Sequence, residues 1–153
     1  MSADTTAGVD FSTMSGLETL RWIKDRGPKG GPGINRLIGM QFDEVEFGRV
    51  VMSLTTQPDF GNPLGTVHGG IAATLLDSVV GCAVHTTLDA GVSYTTLELK
   101  VNYIRAARTD GQKLIGQGNT IHVGRRTATA EGRVLDELGN LIAHATTTCI
   151  VLR

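Results

Sequence analysis

The chain has 153 residues, of which 41% are hydrophobic and 19% charged, and its formal net charge is −1. This composition predicts one globular domain over residues 1–153, with no apolar run long enough to span a membrane. The small net charge gives no electrostatic reason to expect nucleic acid or an anionic membrane as a partner.

The two cysteines predict a reducing compartment. Cys82 and Cys149 both lie inside apolar segments, and no N-terminal secretion signal is visible. A nucleophilic cysteine would need a basic neighbour, and neither residue has one in the sequence. We therefore expect two reduced core thiols in a cytoplasmic protein.

The first forty residues predict a helical extension at 13–37. Residues 1–12 are small and polar, so we expect them to fray. Ser15 followed by Glu18 predicts a capping box, and a short amphipathic helix then ends at Gly27-Pro28. Residues 28–33 read PKGGPG, but no strand precedes them and no Gly-Lys-Ser/Thr follows, so we reject a phosphate loop.

Alternating apolar and polar residues between Ile38 and Gln57 predict a β-hairpin that turns at Phe47-Gly48-Arg49. Strand-like segments return at 97–103, 114–123, 127–135 and 141–152. In the first of them Leu97, Leu99 and Val101 are expected to share one face of the sheet.

Between these strand regions, residues 62–85 read NPLGTVHGGIAATLLDSVVGCAVH. Apolar residues occupy most of the circumference of a helix at about 69–86, which predicts a helix buried in the core. The resulting order predicts an α+β protein, in which an antiparallel sheet wraps around one long central helix.

One polar stripe interrupts the apolar surface of this helix. Its members recur at steps of three and four, so they share a face: Gly70, Thr74, Asp77, Ser78, Gly81 and His85. A carboxylate on the polar stripe of a buried helix is costly unless it is paired or used, which makes Asp77 the leading catalytic candidate. The two glycines at the start leave the first helical N–H groups open to an anion or a polarised carbonyl.

The pattern Asn62-x5-His68-Gly69-Gly70-x6-Asp77, followed by these strands, resembles hotdog-fold acyl-CoA thioesterases of the PaaI (phenylacetate-degradation) type. The resemblance covers about 38–152. It implies hydrolysis of an acyl- or aryl-acyl-CoA to the free acid and coenzyme A, with no metal or redox cofactor. It also implies a dimer, often paired into a tetramer.

The resemblance assigns roles to individual residues. Gly69 would give its N–H to the thioester carbonyl, Asp77 would act as base or nucleophile, and Asn62 would position the water or the carboxylate. Thr96 would complete the site, with Thr95 as the competing assignment. His68 is either an acid–base group or a local hydrogen-bonding group that shapes the loop.

The resemblance also implies a site for the CoA nucleotide. We expect the CoA part of the substrate to contact side chains and backbone from three segments of the chain: Gly70, Arg105, Arg108, Gly124, Arg125, Arg126 and Thr127. Arginines in such numbers most often form a solvated face, yet phosphates need such charges. His85, His122 and His144 have no ligand spacing, so no metal site is expected.

Elementary chemistry agrees with these residue types. Thioester hydrolysis places negative charge on the carbonyl oxygen, and an N–H at a helix start suits that charge. Gly69 and Asp77 are eight residues apart, or about 12 Å along one helix, so we expect the site to combine Gly69 of one chain with Asp77 of another.

Two other functions stay open at this point. A hotdog hydratase or dehydratase would use a His/Asp or His/Glu pair to move a proton, although the loop Asn62–Val67 differs from that expected for this class. A non-catalytic acyl-CoA binder is the other alternative. Thiol release on turnover would separate hydrolysis from both.

Overall fold

The structure is a computed structural model that describes residues 9–27 and 33–153. The predicted fraying of 1–12 falls largely on residues 1–8, which lie outside the described residues, while Phe11–Thr13 forms a short 3-10 turn. Most of the glycine-rich loop at 28–33 also lies outside the described residues.

The predicted N-terminal extension consists of two helices, α1 (Gly16–Asp25) and α2 (Gly33–Ile38). The capping box is confirmed, because Ser15 accepts a hydrogen bond from the Glu18 N–H while the Glu18 carboxylate accepts one from the Ser15 N–H. Trp22 of α1 is half-buried, with Phe11 at its edge and the Arg26 guanidinium 3.5 Å from its ring centroid.

Six antiparallel strands form one sheet, in the order β1-β2-β4-β5-β6-β3. Their bounds are β1 (Gln41–Glu46), β2 (Arg49–Thr55), β3 (Ser93–Tyr103), β4 (Lys113–Val123), β5 (Thr127–Asp136) and β6 (Leu141–Leu152). The predicted hairpin is β1–β2, and the four later strands fall where the alternation placed them. Among the described residues strand β3 pairs only with β6, so it forms a free edge of the sheet there.

The long helix α3 (Gly69–His85) lies across the inner face of this sheet. Its core side is almost fully excluded from solvent at Leu75, Leu76 and Val79. Glycines in the facing strands allow a close approach: a Cβ on Gly118 would lie 2.2 Å from the Val79 carbonyl oxygen. The predicted sheet around a central helix is therefore confirmed.

The polar stripe of α3 differs from the expectation in one respect. Asp77 is exposed in the single chain, and Gly70 on the same stripe is exposed as well. The expectation that Asp77 lies on a buried stripe was wrong for one chain, because the sheet covers only the apolar side of the helix at that point, although Gly81 farther along the stripe is buried. In one chain the Asp77 carboxylate is therefore not desolvated, and its orientation depends on the groups that hydrogen-bond to it.

A β-bulge interrupts β3 between Thr96 and Glu98. The expected shared face of Leu97, Leu99 and Val101 was wrong for Leu97, which is 57% exposed at the bulge. Because the bulge adds one residue to the strand, the inward-pointing side chains are Thr96 before the bulge and Leu99 after it. Both the core packing of β3 and the inward position of Thr96 depend on this bulge.

Helix α1 packs over the C-terminal end of α3. Gly16 makes this contact possible, since a Cβ there would lie 1.8 Å from the His85 carbonyl oxygen, and its N–H donates to the Leu88 carbonyl at 3.0 Å. Among the helices of the described residues, none is long and apolar enough to cross a membrane.

Candidate active site

The start of α3 presents a free backbone donor. His68 is the N-cap residue, and its Nδ1 atom accepts a hydrogen bond of 2.9 Å from the Gly70 N–H. Within residues 9–27 and 33–153 the Gly69 N–H has no acceptor. His68 therefore fulfils the local role foreseen for it, and it leaves the Gly69 N–H open at the positive end of a 17-residue helix.

Tyr103 covers Gly69 from the end of β3. Its hydroxyl donates a hydrogen bond of 3.0 Å to the Gly69 carbonyl oxygen, and a Cβ on Gly69 would lie 3.0 Å from the ring. A side chain at position 69 would therefore collide with the Tyr103 ring. Tyr103 was not among the predicted site residues, because its place beside Gly69 depends on the pairing of β3 with the sheet.

Asn62 organises its own loop in the single chain. Its Oδ1 accepts from the N–H groups of Leu64 (2.9 Å) and Thr66 (3.2 Å), and its Nδ2 donates to the Thr66 hydroxyl at 3.0 Å. This is the ordinary turn that an Asn-Pro sequence suggests. Asn62 does not contact Asp77 of the same chain, and one Nδ2 hydrogen remains available for another partner.

Eight residues along α3, the carboxylate of Asp77 meets β3. The Thr96 hydroxyl donates a hydrogen bond of 3.0 Å to Asp77 Oδ1. Thr95 is exposed, and its neighbour Thr96 is the one that points toward the helix. The structure thus brings Thr96, and not Thr95, to Asp77.

Two separate cavities lie beside these groups. The Gly69 cavity, about 300 Å³ in volume, is lined among others by His68, Gly69, Tyr103, Ile104 and Arg105. The Asp77 cavity, about 230 Å³, is lined among others by Leu20, Ile34, Asp77, Tyr94 and Thr96. They share no lining residue, so the predicted donor and the predicted carboxylate do not meet within one chain.

The predicted phosphate-binding residues are divided between opposite ends of the sheet. The Arg105 N–H donates to the Ile142 carbonyl at the start of β6, whereas the Val151 N–H donates to Arg126 at its end. These two points on β6 are nine residues apart, or roughly 30 Å along a strand. Arg105 belongs to the Gly69 end of the molecule.

Other predicted nucleotide contacts have partners of their own. The Arg108 guanidinium lies 3.1 Å from the Asp110 carboxylate, and both side chains are exposed. The turn between β4 and β5 is closed by a hydrogen bond of 2.8 Å from the Gly124 N–H to the Thr127 carbonyl. Arg125 and Arg126 are exposed on that turn, near the Asp77 end of the sheet.

Burial suppresses the reactivity of both cysteine thiols. Burial, followed by the negative charge of Asp77, raises the pKa of the Cys82 thiol to about 12. Burial likewise raises the pKa of Cys149 above its usual value. These pKa values fit the prediction of inert core thiols.

No three His, Cys, Asp or Glu side chains converge as metal ligands in the described part of the chain. The three scattered histidines, His85, His122 and His144, have no partners of that kind there. That the reaction needs no metal or other cofactor stays a prediction.

Comparison with known proteins agrees with the fold. The model of the thioesterase superfamily matches residues 64–143. A 1,4-dihydroxy-2-naphthoyl-CoA hydrolase of Listeria monocytogenes is 24% identical over 78% of this chain and 95% of its own.

Two solved structures are similar. A phenylacetic acid degradation-related protein of Ralstonia eutropha is 30% identical, with a TM-score of 0.73, over 78% of this chain and 90% of its own. The PaaI protein of Escherichia coli has a TM-score of 0.78 over 90% of this chain and 96% of its own, and at 15% identity it shows the fold alone. The resemblance to PaaI-type hotdog thioesterases is confirmed, and the chain is a thioester hydrolase that belongs to the thioesterase superfamily.

Proposed function

We propose that this thioesterase hydrolyses acyl- or aryl-acyl-CoA thioesters to the free acid and coenzyme A. The observation that carries the proposal is the Asp77 carboxylate, which lies exposed on the central helix and accepts a 3.0 Å hydrogen bond from Thr96. The Listeria relative is named as the hydrolase of a CoA thioester, which supports this substrate class. Coenzyme A is part of the substrate, and the proposed reaction uses no metal or redox cofactor.

The free Gly69 N–H would bind the thioester oxygen. It stands at the first turn of a 17-residue helix, whose dipole favours negative charge at this end. One such donor typically lowers the barrier by roughly 3 kcal/mol. Asp77 would attack the carbonyl carbon to give a mixed anhydride that water then hydrolyses, or it would take a proton from a water whose oxygen attacks that carbon. In either route the C–S bond breaks, and CoA leaves as a thiolate that takes up a proton.

We further propose that two chains build each site. Gly69 and Asp77 are separated by about 12 Å along α3 and line different cavities of one chain. A two-fold axis that pairs antiparallel copies of α3 would bring Gly69 of one chain to Asp77 of the other. The unpaired edge of β3, with Leu97 57% exposed, supports association along this side.

The other predicted residues would act around this shared centre. The remaining Nδ2 hydrogen of Asn62 would reach the water or the carboxylate across the interface, and His68 would keep Gly69 oriented. The arginines at both ends of the sheet would hold the CoA phosphates, since their guanidinium groups bind phosphate with paired donors.

We also propose that the protein works in the cytoplasm as a dimer or a dimer of dimers. The elevated pKa values of Cys82 and Cys149 fit thiols that stay reduced there. A homo-oligomer with two-fold symmetry is the commonest form of soluble assembly, and it is the form that the divided site requires.

A thiol-release screen over a panel of acyl-CoAs tests this function. Wild-type protein should release CoA, and Asp77→Asn should lose several decades of kcat while it still folds and binds acyl-CoA. Asp89→Asn, which removes another exposed carboxylate just beyond α3, serves as the matched control and should keep wild-type turnover. Absence of thiol release with every acyl-CoA, or undiminished turnover by a folded Asp77→Asn protein, would contradict the proposal.

A further inference from the structure

The N-terminal extension forms part of the wall of the Asp77 cavity. Helix α1 contributes Leu20 and Ile23, α2 contributes Ile34, and Phe42 and Met52 of the hairpin complete the apolar walls. Asp77 and Thr96 line the same space. The two N-terminal helices therefore help to form a mostly apolar pocket directly beside the proposed catalytic carboxylate, with Asn35 and Ser78 as further polar side chains in its lining.

Tyr94 lies beside this pocket one helical turn beyond Asp77. Gly81 of α3 admits its ring, because a Cβ on Gly81 would lie 2.9 Å from the Tyr94 hydroxyl oxygen. Gly81 follows Asp77 by four residues, so the hydroxyl is displaced by about 6 Å along the helix axis from the carboxylate. That displacement is comparable to the length of a small acyl group.

The Tyr94 hydroxyl has no hydrogen-bond partner among the described residues. In the same part of the chain, the only fully buried side-chain oxygen or nitrogen without a partner is Thr56 Oγ1. Because the Tyr94 oxygen also lacks a partner but is not among these fully buried atoms, it keeps some exposure. We therefore take it to be accessible from the cavity that its side chain lines. Burial of the ring raises the pKa of Tyr94 well above 10, so the hydroxyl keeps its proton as a donor at neutral pH.

We propose that the Asp77 cavity receives the acyl group, and that the Tyr94 hydroxyl selects compact acyl groups with a neutral hydrogen-bond acceptor at the far end. This inference rests on the proposed acyl-CoA thioesterase function and adds to it a residue that determines specificity. Tyr94 acts on the substrate away from the scissile bond, so its contribution is selection and not chemistry.

The volume and charge of the cavity limit the acyl group. A dry protein cavity of about 150 Å³ binds benzene, so 230 Å³ holds one substituted ring or a chain of similar size. An anionic substituent is disfavoured, because mostly apolar walls would desolvate it and the negative charge of Asp77 would repel it. A hydroxyl or oxo group can accept from Tyr94 without that cost.

Matched pairs of substrates test the role of Tyr94. We would compare kcat/KM for phenylacetyl-CoA with 4-hydroxyphenylacetyl-CoA, and for hexanoyl-CoA with 6-hydroxyhexanoyl-CoA. The wild-type protein should prefer the hydroxylated member of at least one pair by roughly 10-fold, and Tyr94→Phe should remove the preference. Tyr103→Phe, the matched control in the Gly69 cavity, should change both members of a pair equally.

The outcomes separate this inference from the proposed function. Hydrolysis without any preference for hydroxylated acyl groups, or a preference that Tyr94→Phe retains, would overturn the role of Tyr94 and leave the thioesterase function standing. Absence of hydrolysis for every acyl-CoA would instead overturn the proposed function.

A second pair of variants tests the location of the acyl group. Ile34 and Leu37 are exposed apolar residues of the same short helix, but only Ile34 lines the cavity. Ile34→Ala should raise the kcat/KM ratio of decanoyl-CoA to hexanoyl-CoA several-fold, whereas Leu37→Ala should not. Equal ratios in wild type, Ile34→Ala and Leu37→Ala would show that the acyl group lies elsewhere.

Discussion

The Thr96 hydroxyl donates a hydrogen bond of 3.0 Å to the carboxylate of Asp77, and so joins the free-edge strand β3 to the exposed face of the central helix. The bond fixes one carboxylate oxygen and leaves the other free. Because Asp77 is exposed in one chain, this hydrogen bond is what holds the carboxylate in a defined orientation.

We expect Thr96→Val to lower kcat by roughly 10- to 100-fold, since a hydrogen bond to a charged group is worth about 1.5–3 kcal/mol. Thr96→Ser keeps the hydroxyl and should recover most of the activity. Thr95→Val provides the control, because Thr95 is exposed on the same strand. Steady-state thiol release with one acyl-CoA is sufficient, and equal kcat for wild type and Thr96→Val would remove Thr96 from the site.

Thr96 also shows where sequence reasoning reached its limit. The family resemblance made it a candidate, but the strict alternation of β3 gave no sign of the bulge at Leu97. The Glu98 carbonyl beside that bulge accepts a 2.7 Å hydrogen bond from buried Thr147 on β6. A bulge that is fixed by a residue of another strand cannot be read from the local pattern.

Gly69 can be tested through its backbone. Gly69→Pro removes the N–H at the first helical position, where proline is tolerated. Gly69→Ala retains the N–H, and both variants place a Cβ against the Tyr103 ring, so the alanine variant controls for that contact. We expect the proline variant to lose roughly 10²- to 10³-fold more kcat than the alanine variant, as for removal of an oxyanion donor. Circular dichroism would check that both fold, and equal losses would show that the N–H does not participate.

The arginines should affect substrate affinity more than chemistry. Arg105→Ala, beside the Gly69 cavity, should raise KM several-fold with little change in kcat, and the increase should be larger at low salt because screening weakens the wild-type interaction. Arg125→Ala and Arg126→Ala test the other end of the sheet. Arg133→Ala, an exposed arginine within β5, is the control. Unchanged KM in all three test variants would place the nucleotide elsewhere.

His85 should make the fold sensitive to mild acid. Burial lowers the pKa of His85 below its usual value of 6.5, so the unfolded chain binds more protons as the pH falls through that range. Stability should therefore decrease from about pH 7 to pH 5. Thermal melts of His85→Gln should show a smaller decrease in Tm than wild type, while exposed His122→Gln should follow wild type. If Tm falls equally with pH in all three proteins, His85 is not the source of the acid sensitivity.

The fold was largely predictable because its signals are local. The Ser15 capping box, the alternation of the strands and the apolar surface of α3 each act within a few residues, and the structure contains all of them. The surroundings of the candidate site were less predictable. Tyr94 and Tyr103 come to the site only through glycines on α3 that admit their rings, and such contacts depend on the tertiary fold.

The central claim is that one thioesterase site combines Gly69 of one chain with Asp77 of another. A mixture of two inactive variants tests it most directly. In a heterodimer of Gly69→Pro and Asp77→Asn chains, one shared site collects both lesions, and the other contains an intact Gly69 and an intact Asp77.

The measurement is CoA release after the two variants exchange subunits at equal concentration, with exchange confirmed by mass spectrometry of the native complex. Random exchange makes half of the dimers heterodimeric with one working site each, so the activity should rise to about a quarter of the wild-type value. If heterodimers form and CoA release stays at the level of the separate variants, both groups belong to one chain and the shared site is wrong.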